Sequence, residues 1–295
     1  MMVDQAERLR EMFKEKKPQK PPRKKNLSRV IVVASGKGGV GKTNLVVNLA
    51  VAIGQWGQKT IILDTDMGLA NVDILMNLKP HFSLVDVIRG HKDLREVMLE
   101  GAYNVNVIPG GAGLSEIINL DSHQREQIIS RLSYLDDEGD VLLIDCAAGL
   151  SRNVLSFIAA ADDVIMVTTP EPTAITDVYS IIKIVNNYNL HSTINLVVNM
   201  VHSIEQGAAV FKRVHKVCHN FLDVDINFLG EIEYDRYVHK AAISCSPYIL
   251  QYPRSRAAQC VRRIARRLLF EEDTIHDVAQ KKGGFFNRLL RLWSS

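Results

Sequence analysis

From residue 30 onward the chain alternates between two patterns of apolar spacing. Short runs of continuous β-branched and aliphatic residues fall at Val30–Ala34, Thr60–Leu63, Val105–Ile108, Val141–Ile144, Val164–Thr168, Ile194–Val198 and Ile226–Leu229. Between them lie stretches whose apolar positions recur at helical spacing, at Lys42–Gln55, Ser122–Leu135, Ser151–Ala159, Thr173–Asn187, Ile204–Phe221 and Arg254–Phe270. Strands that are apolar at every position are buried on both faces, as in a parallel sheet covered by helices. The alternation predicts an α/β fold with a doubly wound, mostly parallel sheet and helices on both sides. It divides the chain into a basic N-terminal tail over 1–28, one α/β domain over 29–273 and a C-terminal amphipathic segment over 274–295. No internal repeat is visible.

Composition narrows the class. No apolar run approaches the roughly 18 residues of a membrane span. The first 29 residues hold 14 charges and no apolar core, unlike a secretory signal. Cys146, Cys218, Cys245 and Cys260 are far apart with no C-x-x-C spacing, which points to reduced thiols in a cytosol and away from a disulfide framework or zinc knuckle. The net charge of +3 hides its distribution. Residues 1–29 carry ten Lys/Arg against four Asp/Glu, residues 281–295 carry four Lys/Arg and no acid, and 30–280 hold 22 bases against 29 acids. An acidic body with basic ends disfavours nucleic acid on the body and places anionic surfaces at the tails.

The strongest chemical signal follows the first strand. Gly36, Gly38 and Gly41 spell G-x-G-x-x-G, and Asp64 ends the next strand, as in a dinucleotide fingerprint. Gly36 to Thr43 also spells G-x-x-x-x-G-K-T, the P-loop. Both use backbone amides, here those of Gly36, Gly38, Gly39, Val40 and Gly41, at a helix N-terminus to hold phosphates. Only a triphosphate site needs a lysine and a hydroxyl directly after the last glycine: Lys42 for the β- and γ-phosphates, Thr43 for Mg2+. It also needs a carboxylate at the end of another buried strand, which Asp145 supplies. The P-loop reading therefore prevails.

Lys37 is a second lysine inside that loop. The complete stretch Lys37, Gly38, Gly39, Val40, Gly41, Lys42, Thr43 resembles the deviant Walker A loop of the MinD/ParA group of ATPases. The resemblance implies that Lys37 reaches across a homodimer interface to the nucleotide of the second subunit. It extends to Leu63–Asn71, similar to the group's switch I, where Asp66 would activate the attacking water and Asp64 would lie near the metal. It extends also to Ile144–Leu150, similar to switch II, where Asp145 would bind metal-bound water and the Gly149 amide would sense the γ-phosphate. The run Thr169–Asp177 matches as well. Seen alone, Asp64 reads equally as a helix N-cap and Asp145 as a strand-end turn residue. No N-K-x-D guanine motif occurs, so ATP is expected over GTP, with Mg2+ as cofactor. Asn199 matches the position that meets adenine in the group, beside the plain alternative of a strand-end turn asparagine, and Asp235 lies in the loop that closes over the base.

The two tails carry the remaining signals. On a helical wheel Phe285, Phe286, Leu289, Leu290, Leu292 and Trp293 fall within about 160°, with Asn287, Arg288 and Arg291 opposite and Lys281 and Lys282 in front. Bulky apolar residues opposed by arginines at a chain end read as an interfacial membrane helix for anionic lipid, the alternative being a helix docked on the domain, and the two can alternate. Paired helices on one dimer would gain effective concentration at a membrane. At the other end Ala6, Leu9 and Phe13 fall at helical spacing, in a segment too short to persist alone and in need of something to dock on. A Pro-containing basic linker, Lys14 to Lys25, follows it. Asp4, Gln5, Ala6, Leu9 and Arg10, with Glu7 and Arg8 between, resemble the D-Q-A-x-x-L-R motif of the FlhG family (also FleN or YlxH), which controls flagellar number and placement; Asn44 also suits that family. The resemblance implies docking on the SRP-type GTPase FlhF, with Gln5 acting at the partner's site, contacts to flagellar switch or basal-body components, and a cytoplasmic protein held peripherally at the membrane when ATP-bound. A MinD-type division regulator is the neighbouring reading. A DNA-partitioning ATPase would want a basic patch, for which Arg256, Arg262, Arg263, Arg266 and Arg267 are the candidates. An iron–sulfur carrier would want paired cysteines near the C-terminus, which this sequence lacks.

Overall fold

The computed structural model describes residues 28–66, 71–110, 122–270 and 284–294. Eight strands, β1 (Arg29–Ser35), β2 (Thr60–Asp64), β3 (Leu99–Glu100), β4 (Val105–Ile108), β5 (Val141–Asp145), β6 (Asp163–Thr168), β7 (Thr193–Val201) and β8 (Asp225–Glu233), form one sheet in the order β3-β4-β2-β5-β1-β6-β7-β8. All neighbours are parallel except β3, which pairs antiparallel with β4. The seven expected strands are all present. β3 was not foreseen because two residues, one of them Glu100, give no periodicity to read.

Helices of eight residues or more are α1 (Lys42–Gln55), α2 (Ser122–Leu132), α3 (Arg152–Ala160), α4 (Pro172–Asn187), α5 (Ile204–Phe221), α6 (Arg236–Ile243), α7 (Arg256–Phe270) and α8 (Phe285–Ser294). Strand parity divides the core. Val30, Val32, Leu142, Ile144 and Met166 face α2 to α5, whereas Ile31, Val33, Leu143, Ile165 and Val167 face α1 and α7. β1 lies between β5 and β6, and the chain departs to opposite sides of it. That is a topological switch point, where a crevice opens beyond the carboxyl ends of the strands. The helix expected over Ser122–Leu135 stops at Leu132, and a separate turn spans Leu135–Glu138. Asp136, Asp137 and Glu138 would oppose the negative end of a longer helix; in the new turn they occupy its first residues, where acids are favoured.

The C-terminal helix α8 takes the docked one of the two arrangements its pattern leaves open. Its apolar side is packed on the domain: Phe285, Phe286, Leu289 and Trp293 are buried in the same cluster as α2 and α3, Leu290 is half-buried and Leu292 is exposed. Phe157 of α3 stacks on Phe285 at 6.4 Å and meets Trp293 edge-on at 6.3 Å. Arg288 donates to Ala160 O at 2.8 Å and pairs with Asp162 at 2.6 Å. Asp136 Oδ1 accepts the Phe285 amide at 3.1 Å, capping the helix.

Burial pushes the Asp136 carboxyl up to about 6. A raised carboxyl stabilises the packed state fully below its unfolded value near 4, and that contribution is lost as pH rises toward 6. Asp136→Asn keeps an acceptor for Phe285 and removes the buried charge. The variant is expected to gain on the order of 1 kcal/mol at pH 7.5 and little at pH 4.5, read from melting curves at the two pH values.

Candidate active site

β1 ends at Ser35, and the loop Gly36–Gly41 turns the chain into α1 at the sheet's switch point. Gly39 and Gly41 hold φ of +80° and +85°, the left-handed region that glycine enters without strain. Gly36 is needed for a different reason: a Cβ there would sit 2.5 Å from Asp177 Cβ on α4. The N-cap of α1 is Gly41, with no side-chain hydrogen bond, so the first-turn amides are left for an anion.

Lys42 opens α1 and turns inward, its Nζ 2.6 Å from Asp145 Oδ1, with both side chains buried. Burial drives the Asp145 carboxyl above its usual range against the pull of Lys42 and the Thr43 hydroxyl. Its second oxygen, Oδ2, is buried with no hydrogen-bond partner. Asp64 is the register neighbour of Asp145 across β2–β5, and burial together with the Asp145 charge pushes its carboxyl up to about 7. Asp64 also accepts the amides of Asp66 at 3.0 Å and Val72 at 3.5 Å, which flank residues 67–70. Two acids crowded on one lysine, an orphaned carboxylate oxygen and the Thr43 hydroxyl form a hard-oxygen set. Such a set fits Mg2+, which binds one or two protein oxygens and takes the rest from phosphate and water.

The expected residues converge on this crevice, with three additions. Lys37 Nζ is bound by Glu171 Oε2 and lies 3.1 Å from Thr173 Oγ1, at the start of α4. Sequence matching flagged the stretch holding Glu171 and Thr173 but gave these residues no role. The Gly149 amide donates to Ser35 O at 2.9 Å, so contact with a γ-phosphate requires that hydrogen bond to open. Beside Gly41 and Asn44 lies a cavity of about 310 Å³, walled by Asn199, Met200, Tyr234, Asp235, Val238, His239 and Tyr248. Asn199 donates to Val40 O at 2.8 Å and accepts the Met200 amide at 2.9 Å, tying the phosphate loop to the end of β7. Asp235 caps α6 through the Tyr237 amide at 2.9 Å and accepts Ala257 N at 3.3 Å. Both therefore line the cavity while serving as local braces. The other wall residues come from β7 (Met200), the turn after β8 (Tyr234), α6 (Val238 and His239) and Tyr248 beyond it, and carry no phosphate or base motif.

Residues 26–269 match the family model of the ParA type described as NUBPL iron-transfer P-loop NTPase. The antiactivator FleN of Pseudomonas aeruginosa is 40% identical over 240 residues, covering 81% of this chain and 86% of that protein. The flagellum site-determining protein YlxH of Helicobacter pylori is 33% identical over 98% of this chain and 99% of its own. This chain belongs to the FleN/YlxH branch of the MinD/ParA P-loop ATPases. Among solved structures, the septum site-determining protein MinD of Pyrococcus horikoshii, complexed with Mg-ADP, superimposes with a TM-score of 0.67 at 26% identity, covering 85% of this chain and all of that one.

Among the described residues no three His, Cys, Asp or Glu gather as metal ligands, and Cys146, Cys218 and Cys260 are buried. Of the arginines weighed as a DNA patch, Arg262 and Arg267 are half-buried on backbone oxygens, whereas Arg256, Arg263 and Arg266 are exposed. Arg262 donates to Pro253 O and Ile249 O, Arg267 to Leu229 O, Arg263 pairs with Glu231 and Arg256 with Glu233. No described helix is long and apolar enough to cross a membrane. The partner motif Asp4, Gln5, Ala6, Leu9 and Arg10 lies outside the described residues.

Proposed function

We propose that this ATPase is a nucleotide-switched regulator of flagellar number and placement, which dimerises around ATP, associates peripherally with anionic membrane and stimulates the GTPase FlhF through its N-terminal motif. The observation that carries the reading is the placement of Lys37. Lys42 already stands over the triphosphate cradle of its own chain, whereas Lys37 is turned to the rim, on Glu171 and Thr173.

Phosphoryl transfer needs positioning and charge neutralisation more than covalent chemistry. The loop amides and Lys42, leaving Asp145, would hold the β- and γ-phosphates. Thr43 and Asp145 would hold Mg2+, which neutralises phosphate charge when bound. Asp66 would orient the attacking water. The Gly149 amide would exchange Ser35 O for the γ-phosphate, moving switch II. Lys37 from a second copy would complete the charge, and the cavity beside Asn199 and Asp235 would take the base. Release of α8 from α2 and α3 would then present two apolar helices to lipid.

Flotation of the full chain with anionic vesicles should succeed with ATP and fail with ADP. A peptide of residues 1–25 should raise GTP turnover by FlhF, and the same peptide carrying Gln5→Ala should not. Retention on DNA without flotation would favour a partitioning role.

A further inference from the structure

The two ends of the described chain meet at one corner of the domain. Ser28 donates its amide to Asp136 O and its hydroxyl to Leu135 O and Gly139 O. The carboxylate of the same Asp136 caps α8 at Phe285. Asp162 repeats the arrangement: Oδ2 accepts the Val30 amide at 2.9 Å, and Oδ1 pairs with Arg288 of α8 at 2.6 Å. The root of the N-terminal tail and the groove holding α8 thus share two aspartates, Asp136 through its backbone oxygen and carboxylate and Asp162 through its two carboxylate oxygens.

The tail carries part of the pattern that fills this groove. In α8 the buried residues are Phe285, Phe286, Leu289 and Trp293, with Arg288 paired to Asp162, Leu290 half-buried and Leu292 on the open side; Gln5 and Arg10 of the tail fall where α8 has Phe285 and Leu290. Counting from residue 6, the tail reads Ala6, Arg8, Leu9, Met12 and Phe13. An arginine, then a leucine, then an aliphatic and an aromatic residue stand at identical offsets, and Glu11 falls where α8 exposes Arg291. We propose that residues 6–13 are a second occupant of the α8 groove: when α8 leaves, Leu9 and Phe13 take the places of Leu289 and Trp293, and Arg8 pairs with Asp162.

Reach permits it. The 14 residues from Lys14 to Leu27 can span up to about 45 Å. A ten-residue helix is about 15 Å long. Relative strength follows from side-chain size. Ala6 replaces Phe286 and phenylalanine replaces tryptophan, so the tail buries less apolar surface and α8 displaces it whenever α8 is present. The tail therefore covers the groove only after release of α8, shielding an apolar surface that would otherwise face water. Residues seated there are withheld from an outside partner; that consequence, and the release of α8 in the unchanged chain, rest on the function proposed above.

The test needs neither lipid nor nucleotide. In the full chain, Leu289→Asp with Trp293→Asp removes α8 from the groove, and hydrogen exchange is followed at Ile128–Leu132 and Phe157–Ile158 beneath it. Adding Leu9→Asp to this background should speed exchange there about tenfold, whereas Leu9→Asp in the otherwise unchanged chain should have no effect. Arg288→Glu, with and without Arg8→Glu, makes the same comparison on a chain whose apolar core is intact. Equal exchange with and without the tail substitution in the undocked background would overturn the proposal, as would equal acceleration in both backgrounds. Protection that falls away on dilution would overturn it too, by assigning the occupant to a second copy.

Discussion

Lys37→Ala should bind ATP as tightly as the unchanged chain, elute as a monomer with ATP and hydrolyse it about 10³-fold more slowly, in the range that a cationic group supplied in trans contributes to phosphoryl transfer. The three outcomes separate because the groups do. Binding within one chain belongs to the loop amides, Lys42 and Thr43, none of which the substitution touches. Loss of the Lys37–Glu171 pair costs the fold little, since exposed ion pairs contribute about 0–1 kcal/mol and Glu171 is 62% exposed. What disappears is positive charge at the transition state of the second copy. Mixing gives the sharper measurement. A Lys37→Ala chain keeps a working cradle, and a Lys42→Ala chain keeps the lysine to complete it. Neither should hydrolyse ATP alone, and together they should recover part of the activity. Failure of the mixture to recover any, or an ATP-dependent dimer of Lys37→Ala, would count against the clamp.

What could be read from sequence follows from which interactions are local. The phosphate loop was legible because left-handed φ at Gly39 and Gly41 and the close approach at Gly36 demand glycine, so that geometry is written in residue type. Asp145 was legible only together with that loop, which calls for a carboxylate at the end of another buried strand. The partners of Lys37 were not legible: Glu171 and Thr173 lie more than 130 residues away, and nothing local to either records the meeting. The base side was legible only at Asn199 and Asp235, and the rest of the cavity wall was not. Its walls gather from the start of α1, the ends of β7 and β8, α6 and Tyr248, and beyond the phosphate loop none of those segments carries a phosphate or base motif of its own. α8 shows the limit most clearly. Periodicity identified the stripe of Phe286, Leu289 and Trp293, but a stripe states only that a face is covered. The cover in this structure is protein, with Asp136 and Asp162 as polar anchors that no wheel diagram of the helix contains.

Replacing Lys42 with methionine should abolish nucleotide binding and also lower fold stability, and the second effect isolates how the site is held ready. The Lys42–Asp145 pair is buried at 2.6 Å, and Asp145 already has one oxygen without a partner. Removing the lysine leaves an uncompensated buried carboxylate beside Asp64. Breaking such a pair costs about 3–5 kcal/mol if the charge persists. The group can escape part of that cost by taking up a proton, because burial has already driven its pKa upward. With Lys42 gone the folded value climbs further above the unfolded one. Stability is then retained at acid pH and lost as pH rises through that folded value. The deficit of Lys42→Met should accordingly be largest near pH 8 and shrink toward pH 5 in denaturant titrations. Adding Asp145→Asn removes the stranded charge, so the double variant should regain most of its stability at pH 8 while still failing to bind ATP. A Lys42→Met chain as stable as the unchanged protein at pH 8 would mean that Asp145 is protonated in the native site, and that Lys42 is held there by something other than its charge.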